Sequence, residues 1–348
     1  MRQFRKADGG PTGKQFVSKT KVMRREIAEG TPGKLMIGGT TVAGTCLNCP
    51  DTPCVLFSED EVVSPVLTGF PFNQTREVCP FDAMTVDSSQ LIPVIDDDSC
   101  IGCGLCIARC PANALYVNSR GLVSLNNDEN DALKTRATHD ARSHASTVGK
   151  LNSAPWSGSI RNVDEETLSN VISSITGAGL TNTNQKLLIR NLLLGLGTSA
   201  AISTVGDTNF RIDMWWEDQG VLWITEVDFD IASNLDTPRA LLDDIAVCVS
   251  RHQVSRNKIG AMIICLEFPN KRSGYYHLIE DIMKVVGLEI LTLSVAGLLL
   301  ALWSHREIQD IDLAKCVVMQ NSKDIGDAFH GIVGRSDVLR TRYFGPTK

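Results

Sequence analysis

The stretch CIGCGLCIARCP, residues 100–111, sets Cys100, Cys103, Cys106 and Cys110 in a C-x2-C-x2-C-x3-C run closed by Pro111. Upstream, CLNCPDTPC supplies Cys46, Cys49 and Cys54, and Cys79-Pro80 follows after a 24-residue gap. Thus eight of the 11 cysteines fall between positions 46 and 110. CPFDAMTV (79–86) and CPANALYV (110–117) share C-P-x-x-A-[M/L]-x-V, the mark of an internal duplication. A disulfide framework is out of place in a chain with no secretory signal. Zinc does not call for four cysteines packed this densely before a proline.

The second run resembles that of the two-cluster bacterial ferredoxins, and the resemblance extends over about residues 44–118. The first run departs from the family in its C-x4-C step and in the long gap before Cys79. The resemblance implies an α+β ferredoxin-like module holding two [4Fe–4S] clusters. In that family the fourth cysteine of each run serves the other cluster. Carried over, Cys100, Cys103, Cys106 and Cys79 hold one cluster, and Cys46, Cys49, Cys54 and Cys110 hold the other. The spacing has a physical reason. Three thiolates on one tight loop each reach a different iron of a cube, but so tight a loop cannot wrap all of it. The proline turns the chain away and has no N–H to satisfy. Cys248, Cys265 and Cys316 lack such company and read as core residues. The six histidines show no ligand-spaced pair and are given no metal role.

The chain has 348 residues, enough for roughly two to three domains at about 100–200 residues each. Apolar residues make up 43%, which suits an ordinary globular core. The formal charge is −6, yet residues 1–40 carry nine Lys/Arg against three Asp/Glu. Residues 1–43 therefore read as a basic arm, either a solvated extension or a contact for phosphate or an acidic partner. The most apolar stretch, Leu288–Trp303, carries Glu289, Thr292 and Ser294 and falls short of a ~20-residue span. It reads as a buried strand and then a buried helix. The expectation is a soluble, cytoplasmic chain with no membrane contact.

Residues 119–162 are polar and aperiodic, as in a linker or irregular extension. Beyond them, Asp164 caps a helix that ends at Gly177, and a second helix covers about Asn184–Leu196. RIDMWWEDQGVLWITEVD (211–228) is two apolar alternating runs around a turn, a hairpin. DTPRALLDDIAVCVSRH continues as a helix capped by Asp236, with Pro238 in its first turn. IGAMIICLEF (259–268) is a strand buried on both faces, followed by a helix over Tyr275–Val286 and a strand in LEILTL. The order predicts an α/β domain with a mixed sheet over residues 163–310, and a C-terminal extension over 311–348.

This order resembles the restriction-endonuclease-like fold over about residues 180–305. Its motif is an aspartate, a gap, then (D/E)-x-K. Here Asp213 is followed after twelve residues by Glu226-Val227-Asp228, so an aspartate stands where the family has lysine. The resemblance implies Asp213, Glu226 and Asp228 as catalytic residues, with Mg2+ held at Asp213 and Glu226. A hard cation there takes carboxylate, water and phosphate oxygens and lowers the pKa of its attacking water. Asp228 removes a cation and adds an anion. A second metal, Lys258 or Arg239 are the available compensations, and exposed polar edge positions are the plain structural reading of Asp228 and Asp230. The functional expectation is a Mg-dependent endonuclease or nucleic-acid-processing protein, in defence against foreign or viral DNA, with DNA as partner. The alternatives are an electron-transfer subunit of a redox complex and a non-cleaving scaffold. The chain has no G-x-G-x-x-G loop, so electrons would be exchanged with another protein.

Overall fold

A computed structural model describes residues 46–67, 69–127, 163–204, 212–230 and 235–346. The basic arm and residues 128–162 lie outside the described residues.

Two short antiparallel ribbons build the cysteine-rich part. Strand β1 (Met84–Asp87) pairs with β2 (Ile92–Ile95), and β3 (Leu115–Val117) pairs with β4 (Val123–Leu125). The second ribbon carries the fold past residue 118, into the stretch whose polarity suggested a linker. Helix α1 (Leu105–Arg109) runs between the ribbons. The duplication seen in the sequence recurs in the backbone. Asp82 and Asn113, each three residues after a Cys-Pro cysteine, take left-handed conformations at φ 53° and 55°. Asp96 N–H donates to the Ala83 carbonyl, and Asn126 N–H to the Ala114 carbonyl, both at 2.8 Å.

The larger part is a five-stranded sheet in the order β5-β6-β7-β8-β9. Strands β5 (Ser199–Ile202), β6 (Met214–Asp218) and β7 (Val221–Asp228) run antiparallel. Strands β8 (Ile259–Cys265) and β9 (Ile290–Ser294) continue parallel to β7. The hairpin turns at Gln219-Gly220, both at positive φ, as a two-residue turn between twisted strands demands. At the β7–β8 seam Gly260 lies opposite Trp223, where a Cβ would sit 2.3 Å from the indole. Trp223 stacks in turn on Trp216, with ring centroids 5.3 Å apart.

Helix α2 (Glu165–Gly177) is capped by the Asp164 carboxylate, which accepts from Thr167 N–H at 2.7 Å. Helix α3 (Asn182–Gly195) begins two residues before the expected start. Helix α4 (Thr237–His252) links β7 to β8 and packs on both, and α5 (Tyr275–Val286) links β8 to β9 and packs against α4. Asp236 precedes α4 without capping it; its carboxylate pairs with Arg239 instead. Helix α6 (Val295–Trp303) is buried along its whole length, against α1, α2 and α3.

The cysteine-rich part does not hang from the sheet by a tether. Helix α1 packs on α3 and α6, and the buried apolar side chains of both parts form one continuous core. Phe72 bridges to Ser203, and Asn73 N–H donates to the Ile202 carbonyl at 2.9 Å, so chain from the first part covers the β5 edge. The C-terminal stretch is likewise integral. Val317 bridges to Leu291 of β9, and Phe329 fits against Gly297 of α6, where a Cβ would come within 2.5 Å of the ring. No described helix is long and apolar enough to cross a membrane.

Candidate iron–sulfur and carboxylate sites

Eight cysteines line two cavities, four to each. Cys46, Cys49, Cys54 and Cys110 face one, and Cys79, Cys100, Cys103 and Cys106 face the other. The spaces are nearly equal, about 340 and 350 Å³ counted out to their mouths, as a duplicated module would give. Their division is the one the ferredoxin resemblance implies, including the exchange of Cys79 and Cys110 between runs.

Local backbone explains how such tight loops form. Gly102 and Gly104, at φ 65° and 85°, turn the chain between successive cysteines where a side chain would be strained. Gly104 also leads into α1, which carries Cys106. Arg109, at the end of α1, draws the looser first run against Cys110. Its guanidinium grips Glu61 with two bonds of 2.9 and 3.0 Å and donates from Nε to the Pro53 carbonyl at 2.8 Å. It also lies 4.1 Å above the Phe57 ring. Cys54 is thereby held beside Cys110 despite its C-x4-C spacing.

Burial pushes the Cys54 thiol well up, and the charges of Cys110, Cys49 and Cys46 push it further. Burial does the same at Cys106, followed by Cys103, Cys79, Cys54 and Cys100. The influence of Cys54 on Cys106 crosses the two sets and marks the cavities as neighbours. Four thiolates cannot share such a space without a compensating cation, and soft thiolate donors suit iron–sulfur chemistry. Cys46 Sγ accepts from Asn48 N–H at 3.5 Å and Cys110 Sγ from Ala114 N–H at 3.3 Å. The donor set fits the implied cofactor.

Among the described residues, four side chains of the larger part hydrogen-bond into this region. Arg190 of α3, only 1% exposed, donates to the carbonyls of Thr75 at 2.8 Å and Asn73 at 3.4 Å. Asn191 donates to the carbonyls of Glu77 at 2.9 Å and Val78 at 3.1 Å, and its own oxygen accepts from Arg190. Trp303 Nε1 donates to the Cys103 carbonyl at 2.7 Å. Trp215 Nε1 donates to Ser64 Oγ at 3.1 Å. The segment before Cys79 and the loop around Cys103 are therefore fixed from outside the module. The polar pair Arg190-Asn191 inside the apolar run KLLIRNLLLG is the sequence signal for the α3 clamp.

A second cluster of groups lies at one end of the inner strands β6 and β7. Asp213, just before β6, accepts from Val227 N–H at 3.3 Å and pairs with Lys186 of α3 at 2.5 Å. Glu226 of β7 lies close to both Asp213 and Asp244 of α4, and each carboxylate raises its carboxyl. Asp244 is 5% exposed, and its Oδ2 has no hydrogen-bond partner among the described residues. Burial first, then Asp213, raises the Glu226 carboxyl far above its ordinary range; burial also raises Asp244. Asp213 and Glu226 are thus brought together as the sequence suggested. Asp228 instead turns toward α4, accepting from Thr237 Oγ1 and from Asp230 N–H. Lys186 supplies the cation, while Arg239 is engaged at the surface and Lys258 sits at the start of β8. Neither Lys186 nor Asp244 was legible in the sequence, because each comes from a helix remote from the motif.

Comparison with known proteins bears on the cysteine-rich part. The 4Fe-4S binding domain family model matches residues 93–116. An uncharacterised ferredoxin of Methanocaldococcus jannaschii is 28% identical over 75 residues, 22% of this chain and 34% of that protein. The polyferredoxin-like subunit of an aliphatic sulfonate oxidoreductase from Pyrococcus furiosus is 32% identical over 73 residues, 21% of this chain and 30% of that protein. The chain thus spans about a third of the length of these curated relatives. No solved structure matches. Residues 93–116 thus belong to a ferredoxin-type 4Fe-4S binding domain.

Proposed function

We propose that the protein is an electron-transfer subunit that carries two [4Fe–4S] clusters and exchanges single electrons with a protein partner. The observation that carries this reading is the pair of adjacent four-cysteine cavities. Cys46, Cys49, Cys54 and Cys110 would ligate one cluster, and Cys79, Cys100, Cys103 and Cys106 the other. Each cluster supplies reversible one-electron chemistry when bound. The chain's own groups limit water by burying six of the eight cysteines and donate N–H bonds to Cys46 and Cys110, which stabilises the thiolates. Arg190, Asn191 and Trp303 hold the ligand-bearing loops in register. The Pyrococcus furiosus relative, a polyferredoxin-like subunit of an oxidoreductase, favours this role over nucleic-acid processing.

Anaerobic reconstitution tests it. About eight irons per chain and a reduced spectrum of two interacting clusters are expected. Clusters that stay silent to strong low-potential reductants would overturn electron transfer in favour of a structural role.

A second reading is favoured by one observation, the convergence of Asp213, Glu226 and Lys186. A Mg2+ held by the two carboxylates, with Lys186 in place of the missing motif lysine, would support phosphodiester cleavage of DNA. Cleavage that requires Mg2+ or Mn2+ and disappears in Asp213→Ala would support it. Cleavage retained in that variant would place the activity elsewhere.

A further inference from the structure

Cys100 and Ile101 have two faces. On one side they line the second four-cysteine cavity; on the other they line an open groove of about 1540 Å³, counted to its mouth. The β3–β4 turn, from Val117 to Leu122, forms one wall of the groove. Helix α2 forms the other, through Thr167, Asn170, Val171, Ser173 and Ser174. Every cysteine of the first cavity is buried, whereas Cys79 and Cys100 of the second are partly exposed. The groove is thus a place where solvent, or another molecule, comes within one residue of the second ligand set.

Its rim is acidic. Asp96, Asp97 and Asp98 are exposed immediately before Cys100, and Glu165 and Glu166 are exposed at the start of α2. Among the described residues Arg120 is the one charged lining residue, and its charge is paired with Asp97. Glu165 also feels Arg342, which is itself paired with Glu267. Arg120 and Arg342 leave the rim with an excess of carboxylates. The lining is rich in amide and hydroxyl groups, which suits a wet, reversible contact more than a permanent apolar one.

We propose that this groove receives the basic face of a one-electron protein partner, with Cys100 and Ile101 as its point of closest approach. This rests on the electron-transfer reading above. One electron passes between the cluster and the partner's redox centre; no bond forms or breaks, and no proton is required. The acidic rim raises the encounter rate with a basic partner and makes it sensitive to salt.

The test uses the full chain, anaerobically reconstituted and reduced, and follows reoxidation by stopped flow. Cytochrome c, a basic haem protein, is the probe acceptor, and menadione is a small neutral reference. The cytochrome c rate should fall steeply with ionic strength. Relative to menadione it should fall about tenfold in Glu166→Lys and in Asp97→Lys. Asp281→Lys, on α5 and away from both groove walls, should leave that ratio close to wild type. Glu166 has no described side-chain partner, so its variant guards against a fold defect in Asp97→Lys. Equal ratios in all three variants would overturn the groove as the docking site. A ratio that drops as far in Asp281→Lys would also overturn it, by showing general charge attraction. Failure to reoxidise with either acceptor would instead sink the electron-transfer reading itself.

Discussion

Trp303 closes α6 by donating its indole N–H to the carbonyl of Cys103 at 2.7 Å, across 200 positions of sequence. The bond joins the last turn of the most buried helix to the loop that carries the second ligand run. The loop's shape is therefore not the property of a free-standing module. Part of it belongs to the sheet.

Trp303→Phe keeps most of the packing but removes the indole donor to the buried Cys103 carbonyl. A loss of about 1–3 kcal/mol is expected. Reconstituted protein should also shed its clusters faster under a chelator, seen as bleaching of the visible absorbance. Unchanged bleaching and unchanged stability would remove Trp303 from the ligand-loop support.

Arg190 serves several acceptors from one planar fork, a geometry an ammonium cannot copy. Arg190→Lys should therefore fail to rescue Arg190→Met. Asn191→Ala abandons two carbonyls and should cost about 2–4 kcal/mol by denaturant unfolding. Both changes should shift the midpoint potential of the cluster served by Cys79, read by redox titration, because the 73–78 segment leads directly to that ligand.

Cys106→Ser and Cys54→Ser address different cavities. Each should lower the iron content from about eight toward four per chain while the other cluster's signal persists. Arg109→Ala should selectively weaken the set containing Cys54 and Cys110, since it frees the 53–61 segment. Simultaneous loss of both signals in every variant would contradict separate ligand sets.

The Glu226–Asp244 pair predicts a pH dependence. Both carboxyls are raised in the folded chain, so the native state holds protons that the unfolded state has released. Stability is then greatest below the ordinary carboxylate range and declines as pH rises from there through the folded values. Melting temperatures in chelator should fall from pH 5 to pH 8, and Glu226→Gln should flatten that slope. If Mg2+ or Mn2+ occupies the site, the metal should restore stability most at the alkaline end.

The cysteine runs carried the ligand grouping through their resemblance to the two-cluster ferredoxins, which implies the exchange of fourth ligands. The hairpin, the buried strands and the helix order were equally readable, since period-two and period-3.6 patterns follow from the side on which each residue is buried. The β3–β4 ribbon was less visible: three-residue strands in a polar stretch leave no period to count. The C-terminal stretch looked like an extension because its short helical turns have no periodicity either, although Phe329 and Phe344 are fully buried.

Tertiary structure alone decided which distant side chains meet. Lys186 and Asp244 join Asp213 and Glu226 only because α3 and α4 flank the same strand end. Arg190, Asn191 and Trp303 reach the cysteine loops only because α3 and α6 pack against α1. The sequence determines each residue's chemistry and its place on an element. The meeting of elements depends on how their apolar faces share one core, and that is settled only when the whole chain has packed.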